Sequence, residues 1–302
     1  MKTQFQHDIE NPALRKGEDP ASRKGEHPAP REVESPAPRE SEDTGPREGQ
    51  AVLEAFIDAL SWDEAIGRIT HWGTAHESRY VCICNVHSVV TTTQDVEFKI
   101  AVNNADMATP DGAPIAWALR RLGHPSQERI NGPDLMTKYL AEAERLDHKV
   151  FFYGSTDATL ARLRAELAKK YPLLRIAGMY SPPFRPLSLE EDEQVISLIN
   201  DSGANVVFVG LGCPKQEKWM ADHRGRVTAV MIGVGAAFDY HAGVIKRAPL
   251  WWQRNGLEWL YRLGSEPRRL FKRYLVTNTL FVVGFLRQML TTKVPVSDTV
   301  PD

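Results

Sequence analysis

Between Ala51 and Asp239, short apolar runs alternate with longer stretches in which apolar residues recur every three or four positions. The runs Tyr80–Cys84, Val150–Tyr153, Arg175–Gly178, Val206–Val209 and Ala229–Ile232 end at glycine, asparagine or an irregular loop, the pattern of short buried strands. Helical spacing fills the intervals: Ser88–Val102, Ala113–Leu122, Pro133–Leu146, Ala158–Lys170, and a helix opened by Ser188 with Glu191 as its capping-box partner and ending before Gly203. Ahead of the first strand, Val52–Leu60 has helical spacing, and Ser61 caps a second helix. Asn103–Gly112 and Ser181–Arg185 are rich in turn residues and read as loops. Strands alternating with helices from 80 to 240 predict a Rossmann-like α/β domain, a mostly parallel sheet with helices on both faces.

The pattern stops at both ends. Residues 12–43 are four consecutive eight-residue units beginning Pro-Ala, and seven of the twenty prolines precede residue 51. With Leu14 and Val33 almost its only larger aliphatic side chains, the segment cannot offset the entropy of ordering, so 1–50 reads as a disordered repeat tail. A stacked repeat array is the lesser reading, the unit being short and polar. The α/β domain is assigned to 51–244, a basic aromatic helical appendage to 245–293 and a flexible end to 294–302.

Charge sharpens this division. Residues 51–244 carry 19 Lys/Arg against 24 Asp/Glu, whereas 245–293 carry 10 against 2. In the appendage Trp251, Trp252, Trp259, Tyr261, Phe271 and Tyr274 interleave with Arg254, Arg262, Arg268, Arg269, Lys272 and Arg273. The apolar stretch Leu275–Leu286 would span about 18 Å as a helix, short of a hydrocarbon core of roughly 30 Å. It suits lying on an anionic membrane surface rather than crossing it, with packing onto the sheet as the alternative. An exposed aromatic tail also makes a homo-oligomer an open reading. Three cysteines, Cys82, Cys84 and Cys213, make no disulfide framework, and the polar first twenty residues contain no signal-peptide core.

Candidate chemistry gathers at strand ends. Gly210, Gly212, Gly233 and Gly235 allow a ligand close to the backbone, and ligands of open α/β sheets bind beyond the carboxyl ends of the strands. Lys215 and Gln216 follow the first pair, where a helix start favours an anion. Asp111, between Pro110 and Gly112 and just ahead of a helix, can act as a general base, although Asp before Gly is also a common turn and N-cap pairing. Asn85 and His87 close the first strand and point to the same rim. Arg129 can pair with phosphate through its planar fork, or be a plain surface arginine. Neither glycine pair completes a dinucleotide fingerprint and no phosphate-binding Gly-x-x-x-x-Gly-Lys-Ser/Thr occurs, which disfavours an oxidoreductase. No His/Cys/Asp/Glu set has metal-ligand spacing, and Glu190–Glu193 reads as a solvated first helical turn.

Several blocks in order over roughly residues 50–290 resemble the WecG/TagA/CpsF family of bacterial glycosyltransferases (glycosyltransferase family 26). They are Asn85, Ala105-Asp106, Pro110-Asp-Gly112, Glu128-Arg-Ile-Asn-Gly-Pro-Asp-Leu135, Phe152-Tyr-Gly154, Tyr171-Pro172, Ser181-Pro-Pro-Phe184, Val209 to Trp219, Gly233 to Asp239, Arg247-Ala-Pro249 and Gly256 to Leu263. The most specific are Pro-Lys-Gln-Glu and Glu-Trp-Leu-Tyr-Arg-Leu. The resemblance implies an inverting, metal-independent transferase without a cofactor, moving N-acetylmannosamine, its uronic acid or glucose from a UDP-sugar to a polyprenyl-diphosphate-linked saccharide. It implies Asp111 as general base, Asn85 as an orienting residue, Arg129 on a diphosphate and Gln216 on the donor. Lys215, Gly210, Gly212 and Gly235 line the same rim, and Arg247, Arg262 and Arg268 are candidates for a diphosphate role. It also implies peripheral attachment at the cytoplasmic face of the bacterial inner membrane, and no nucleic-acid partner. The family's strand-end Thr two positions before the Asn is Ile83 here. A non-catalytic membrane-bound nucleotide or lipid sensor is the competing reading.

Overall fold

The computed structural model describes residues 47–291. The expected repeat tail up to residue 46 and the expected flexible end lie outside the described residues. The elements in chain order are β1 (Gly49–Val52), β2 (Ala55–Asp58), α1 (Trp62–Thr74), β3 (Arg79–Cys84), α2 (Val86–Thr92), α3 (Val96–Asn103), β4 (Met107–Pro110), α4 (Ala113–Arg121), α5 (Gly132–Leu146), β5 (Lys149–Gly154), α6 (Asp157–Lys170), β6 (Arg175–Tyr180), α7 (Leu189–Asp201), β7 (Val206–Gly210), α8 (Lys215–His223), β8 (Val230–Gly233), α9 (Ala237–His241), α10 (Leu250–Arg254), α11 (Glu258–Ser265) and α12 (Pro267–Thr291).

Six strands form a parallel sheet in the order β4-β3-β8-β7-β5-β6. Its strands read as unbroken apolar runs because both faces are covered. Tyr80, Cys82 and Cys84 of β3, with Val207 and Val209 of β7, pack into a layer built from α2, α3, α4, α7, α8, α12 and the β1–β2 hairpin. Val81, Ile83, Val206 and Phe208 face α1, α5, α6 and α9. The chain leaves β3 for β4 on one side and returns through β8 on the other, so β3 and β8 flank a topological switch point, where such sheets hold ligands.

Three expectations require correction, and a fourth is extended. Val52–Leu60 is not a helix: β1 and β2 form an antiparallel hairpin turned by Leu53 at φ 54°. It is held from outside by Arg47, which grips Asp58 through both carboxylate oxygens (2.8 and 2.6 Å), and by Asn103, which bonds Phe56 N and Glu54 O. β1 thus begins at Gly49, two residues inside the expected tail. The single helix expected over Ser88–Val102 is two, because Asp95 caps α3 by accepting from Phe98 N (3.0 Å). The expected loop Asn103–Gly112 contains β4, the sheet's edge strand beside the hairpin. The apolar stretch of the appendage is part of one 25-residue helix, α12. Leu270, Phe281 and Phe285 of α12 are buried, the last two within the core layer that includes α2, while Leu275, Val282, Val283, Leu286 and Leu290 are exposed. No described helix is long and apolar enough to cross a membrane.

Candidate active site

The carboxyl ends of the central strands make a continuous rim. Asp111 N donates to Cys84 O (2.9 Å), which sets Asp111 beside the start of α2, and Ile130 N donates to Pro110 O (3.0 Å), which brings the Arg129 segment alongside. A Cβ on Gly132 would approach Val234 O to 3.2 Å, and one on Gly154 would lie 2.6 Å from the Gly210 backbone, so the rim continues without a gap to the ends of β8, β7 and β5.

Asp111 is not a cap. Gly112 occupies the N-cap position of α4 at φ 88° and no side chain caps that helix. The carboxylate instead faces Arg129, whose Nε lies 3.6 Å from Oδ1, a long ion pair rather than a hydrogen bond. The side chain keeps 22% of its accessible surface, yet protein surrounds the carboxyl closely, and that desolvation raises its proton affinity above the ordinary aspartate range. Glu258 raises it further, while Arg129 and Arg262 pull it down.

The appendage closes over this point. Gly256, at φ 70°, leaves no room for a Cβ, which would stand 2.6 Å from Ala113 Cβ. Glu258, 9% exposed, accepts from Arg129 Nη2 (2.5 Å) and from Arg247 Nε (3.3 Å). Arg247 also holds Asp134 through two bonds (2.5 and 2.9 Å) and reaches Asn131 Oδ1 (3.3 Å), the oxygen that caps α5. Five charged groups therefore alternate in sign from Asp111 through Arg129, Glu258 and Arg247 to Asp134. Around them several buried polar atoms have no hydrogen-bond partner: Nε of Arg129, Arg262 and Arg273, the Tyr240 hydroxyl and His87 Nδ1. Burial, with the Arg273 charge second, lowers the proton affinity of His87. Unsatisfied donors of this kind are rare in a protein interior and mark a place where a polar or anionic ligand fits.

The remaining expected residues divide. Asn85 caps α2 through Ser88 N (3.2 Å), on the rim next to Asp111. Gln216 is 4% exposed; it accepts from Gly212 N (3.2 Å) and donates to Glu217 Oε1 (2.9 Å), and it fills the space beside Gly233 and Gly235. Its amide thus ties the two glycine loops together. Gly210 packs against the Phe238 ring, where a Cβ would come within 2.8 Å. Lys215 is exposed at the start of α8, Arg268 is exposed on the first turn of α12, and Ile83 is buried beside Gly132. The structure brings Asp111, Arg129, Arg247 and Arg262 together, and adds Glu258, Asp134 and Tyr240. Glu258 carried a signal, being one of two acids in the strongly basic 245–293 segment.

A parallel α/β sheet with charged groups gathered at its switch point beneath a basic C-terminal appendage defines an α/β protein of the kind that binds its ligand beyond the carboxyl ends of the strands. The chain matches the glycosyl transferase WecG/TagA/CpsF family over residues 50–295, and it belongs to that family. It is similar to the N-acetylglucosaminyldiphosphoundecaprenol N-acetyl-β-D-mannosaminyltransferase of Bacillus spizizenii, with 31% identity over 219 residues, 71% of this chain and 82% of the relative.

Proposed function

We propose that this protein transfers a sugar, of the N-acetylmannosamine type or glucose, from a UDP-sugar to a polyprenyl-diphosphate-linked saccharide, with inversion and without a metal. The observation that carries the reading is Asp111: an uncapped carboxylate on the ligand rim, raised in proton affinity and set beside Arg129. As the acceptor hydroxyl attacks the anomeric carbon, Asp111 takes its proton, and the bond to the UDP oxygen breaks on the opposite face. Asn85, on the neighbouring strand end, orients the sugar in this reading.

The departing diphosphate needs cations or hydrogen-bond donors. Arg129 and Arg247 already serve Glu258, and breaking a buried pair leaves a charge uncompensated at a cost of about 3–5 kcal/mol. Arg262 acts on Asp111, makes no bond to Glu258 and has an unpartnered Nε over the Tyr240 ring, so it is the better diphosphate ligand, with Arg273, near His87, as a second cation. The similarity to an enzyme named for an undecaprenyl-diphosphate-linked acceptor supports a lipid-linked substrate. The exposed apolar side of α12, with Arg268 and Lys272 near its start, supports peripheral binding to an anionic membrane surface.

The test is a transfer assay with a panel of UDP-sugars, a short-chain polyprenyl-diphosphate N-acetylglucosamine acceptor and EDTA, read by mass spectrometry and by NMR of the new anomeric centre. One sugar added from one donor, with inverted configuration, is expected. Asp111→Asn should abolish transfer, a loss of at least about 100-fold, with UDP binding retained. Near-wild-type turnover in that variant removes Asp111 as base.

A further inference from the structure

We infer that Glu258 is a positioning residue for the transfer step: by taking the Nη2 edge of Arg129 it holds that guanidinium side-on to Asp111 and keeps the carboxylate free to accept a proton. The inference rests on the reading of Asp111 as the base. Arg129 makes its short hydrogen bond to Glu258, at 2.5 Å, while its Nε stands 3.6 Å from Asp111 and bonds to nothing. A guanidinium beside a carboxylate ordinarily closes into a two-bond fork. Here the fork is pulled the other way.

Glu258 can do this because it is itself fixed from a second side. Its other oxygen receives Arg247 Nε, and Arg247 is anchored on Asp134 and Asn131 at the first turn of α5. The charged groups that act on Asp111 are Arg129, from the segment before α5, and Glu258 and Arg262, both from α11, with Arg247 behind Glu258. Removing the Glu258 charge would leave Arg129 unopposed and free to turn both of its N–H groups onto Asp111. The base would weaken, and lone pairs needed for the incoming proton would be occupied.

The experiment is the pH dependence of kcat in the full chain, wild type against Glu258→Gln. The expected result is an acid limb displaced downward by about one pH unit, the scale of a neighbouring charge. The plateau should be roughly three- to tenfold lower, because a weaker base transfers the proton less readily. A lower plateau with the limb unmoved overturns the inference, since a group that merely staples α11 to the rim would do that. Arg247→Gln provides the second arm, and decides the matter if Glu258→Gln does not fold by circular dichroism. It removes a cation and leaves Glu258 wholly to Arg129, so the limb should rise; a fall or no change overturns the inference. Asp111→Asn in the same assay separates the two levels. Turnover retained there removes the base itself, whereas an inactive Asp111→Asn with an unmoved limb in Glu258→Gln removes only the positioning role.

Discussion

A buried carboxylate is tolerated when cations surround it or when it holds a proton, and the two glutamates of this rim illustrate both. Glu258 stands between Arg129 and Arg247. Glu217, 1% exposed, accepts from the Gln216 amide and lies against the Cys213 thiol with no cation beside it, and burial pushes its pKa up to about 7. In the unfolded chain the same group titrates near the ordinary glutamate value. The folded state therefore holds more protons across this interval, and the stability contributed by this one group is full below about pH 4.5, declines as pH rises toward 7, and is lost beyond. Glu217→Gln keeps the acceptor for Gln216 and removes the ionisation. It should match wild type in urea denaturation near pH 4.5 and exceed it at pH 8, by at most on the order of 3 kcal/mol. Equal effects at both pH values would count against a buried, proton-holding Glu217.

At the scale of elements, the least expected contact joins the first hairpin to the last helix. Gln288 of α12 accepts from Leu53 N (2.8 Å) and donates to Ala51 O (2.7 Å), while Gly284 lets α12 approach the Leu53 side chain. Gln288→Ala should lower stability by about 1–2 kcal/mol and speed amide exchange at Leu53, measured by urea denaturation and hydrogen exchange. Unchanged exchange would show that packing alone holds the hairpin. This contact also explains why the hairpin was not legible. Val52, Ala55 and Phe56 have helical spacing, and what overrides it (Arg47, Asn103 and Gln288) lies elsewhere in the chain. The break between α2 and α3 was visible in principle, since Gln94-Asp95 interrupts the apolar pattern and Asp is a good cap. β4 was hidden by its length, four residues ending in Pro110. Strands of the central sheet were legible because both of their faces are buried and their apolar runs are unbroken.

At the scale of the whole molecule, the site was half legible. Asp111, Asn85 and Arg129 sit in turn and strand-end contexts that a linear reading can weigh. The ion chain beyond them needs the appendage folded back, so Glu258 and Asp134, over a hundred residues apart in sequence, could not be paired from spacing. The same folding back decides which side of α12 faces outward. Leu275, Val283 and Leu286 are exposed while Phe281 and Phe285 are buried, so Leu275→Asp, Val283→Asp and Leu286→Asp combined should abolish sedimentation with vesicles containing anionic lipid and leave the thermal midpoint unchanged. Retained sedimentation would place membrane attachment elsewhere. Exposed Trp251 and Trp259, close to the same helix in sequence, would then be the next surface to alter.

The latch between Gln288 and the hairpin spans 235 and 237 positions of the chain. A ribosome makes the hairpin long before Gln288, and Glu258, Arg262 and Arg273 likewise follow every strand of the sheet. A nascent chain can complete all six strands of the sheet with Asp111 and Arg129 in place while Glu258, Arg247 and Arg262 are still unmade. The residues that finish the crevice are made after the sheet they close, and a chain stopped after β8 would carry Asp111 and Arg129 without the glutamate that holds them apart.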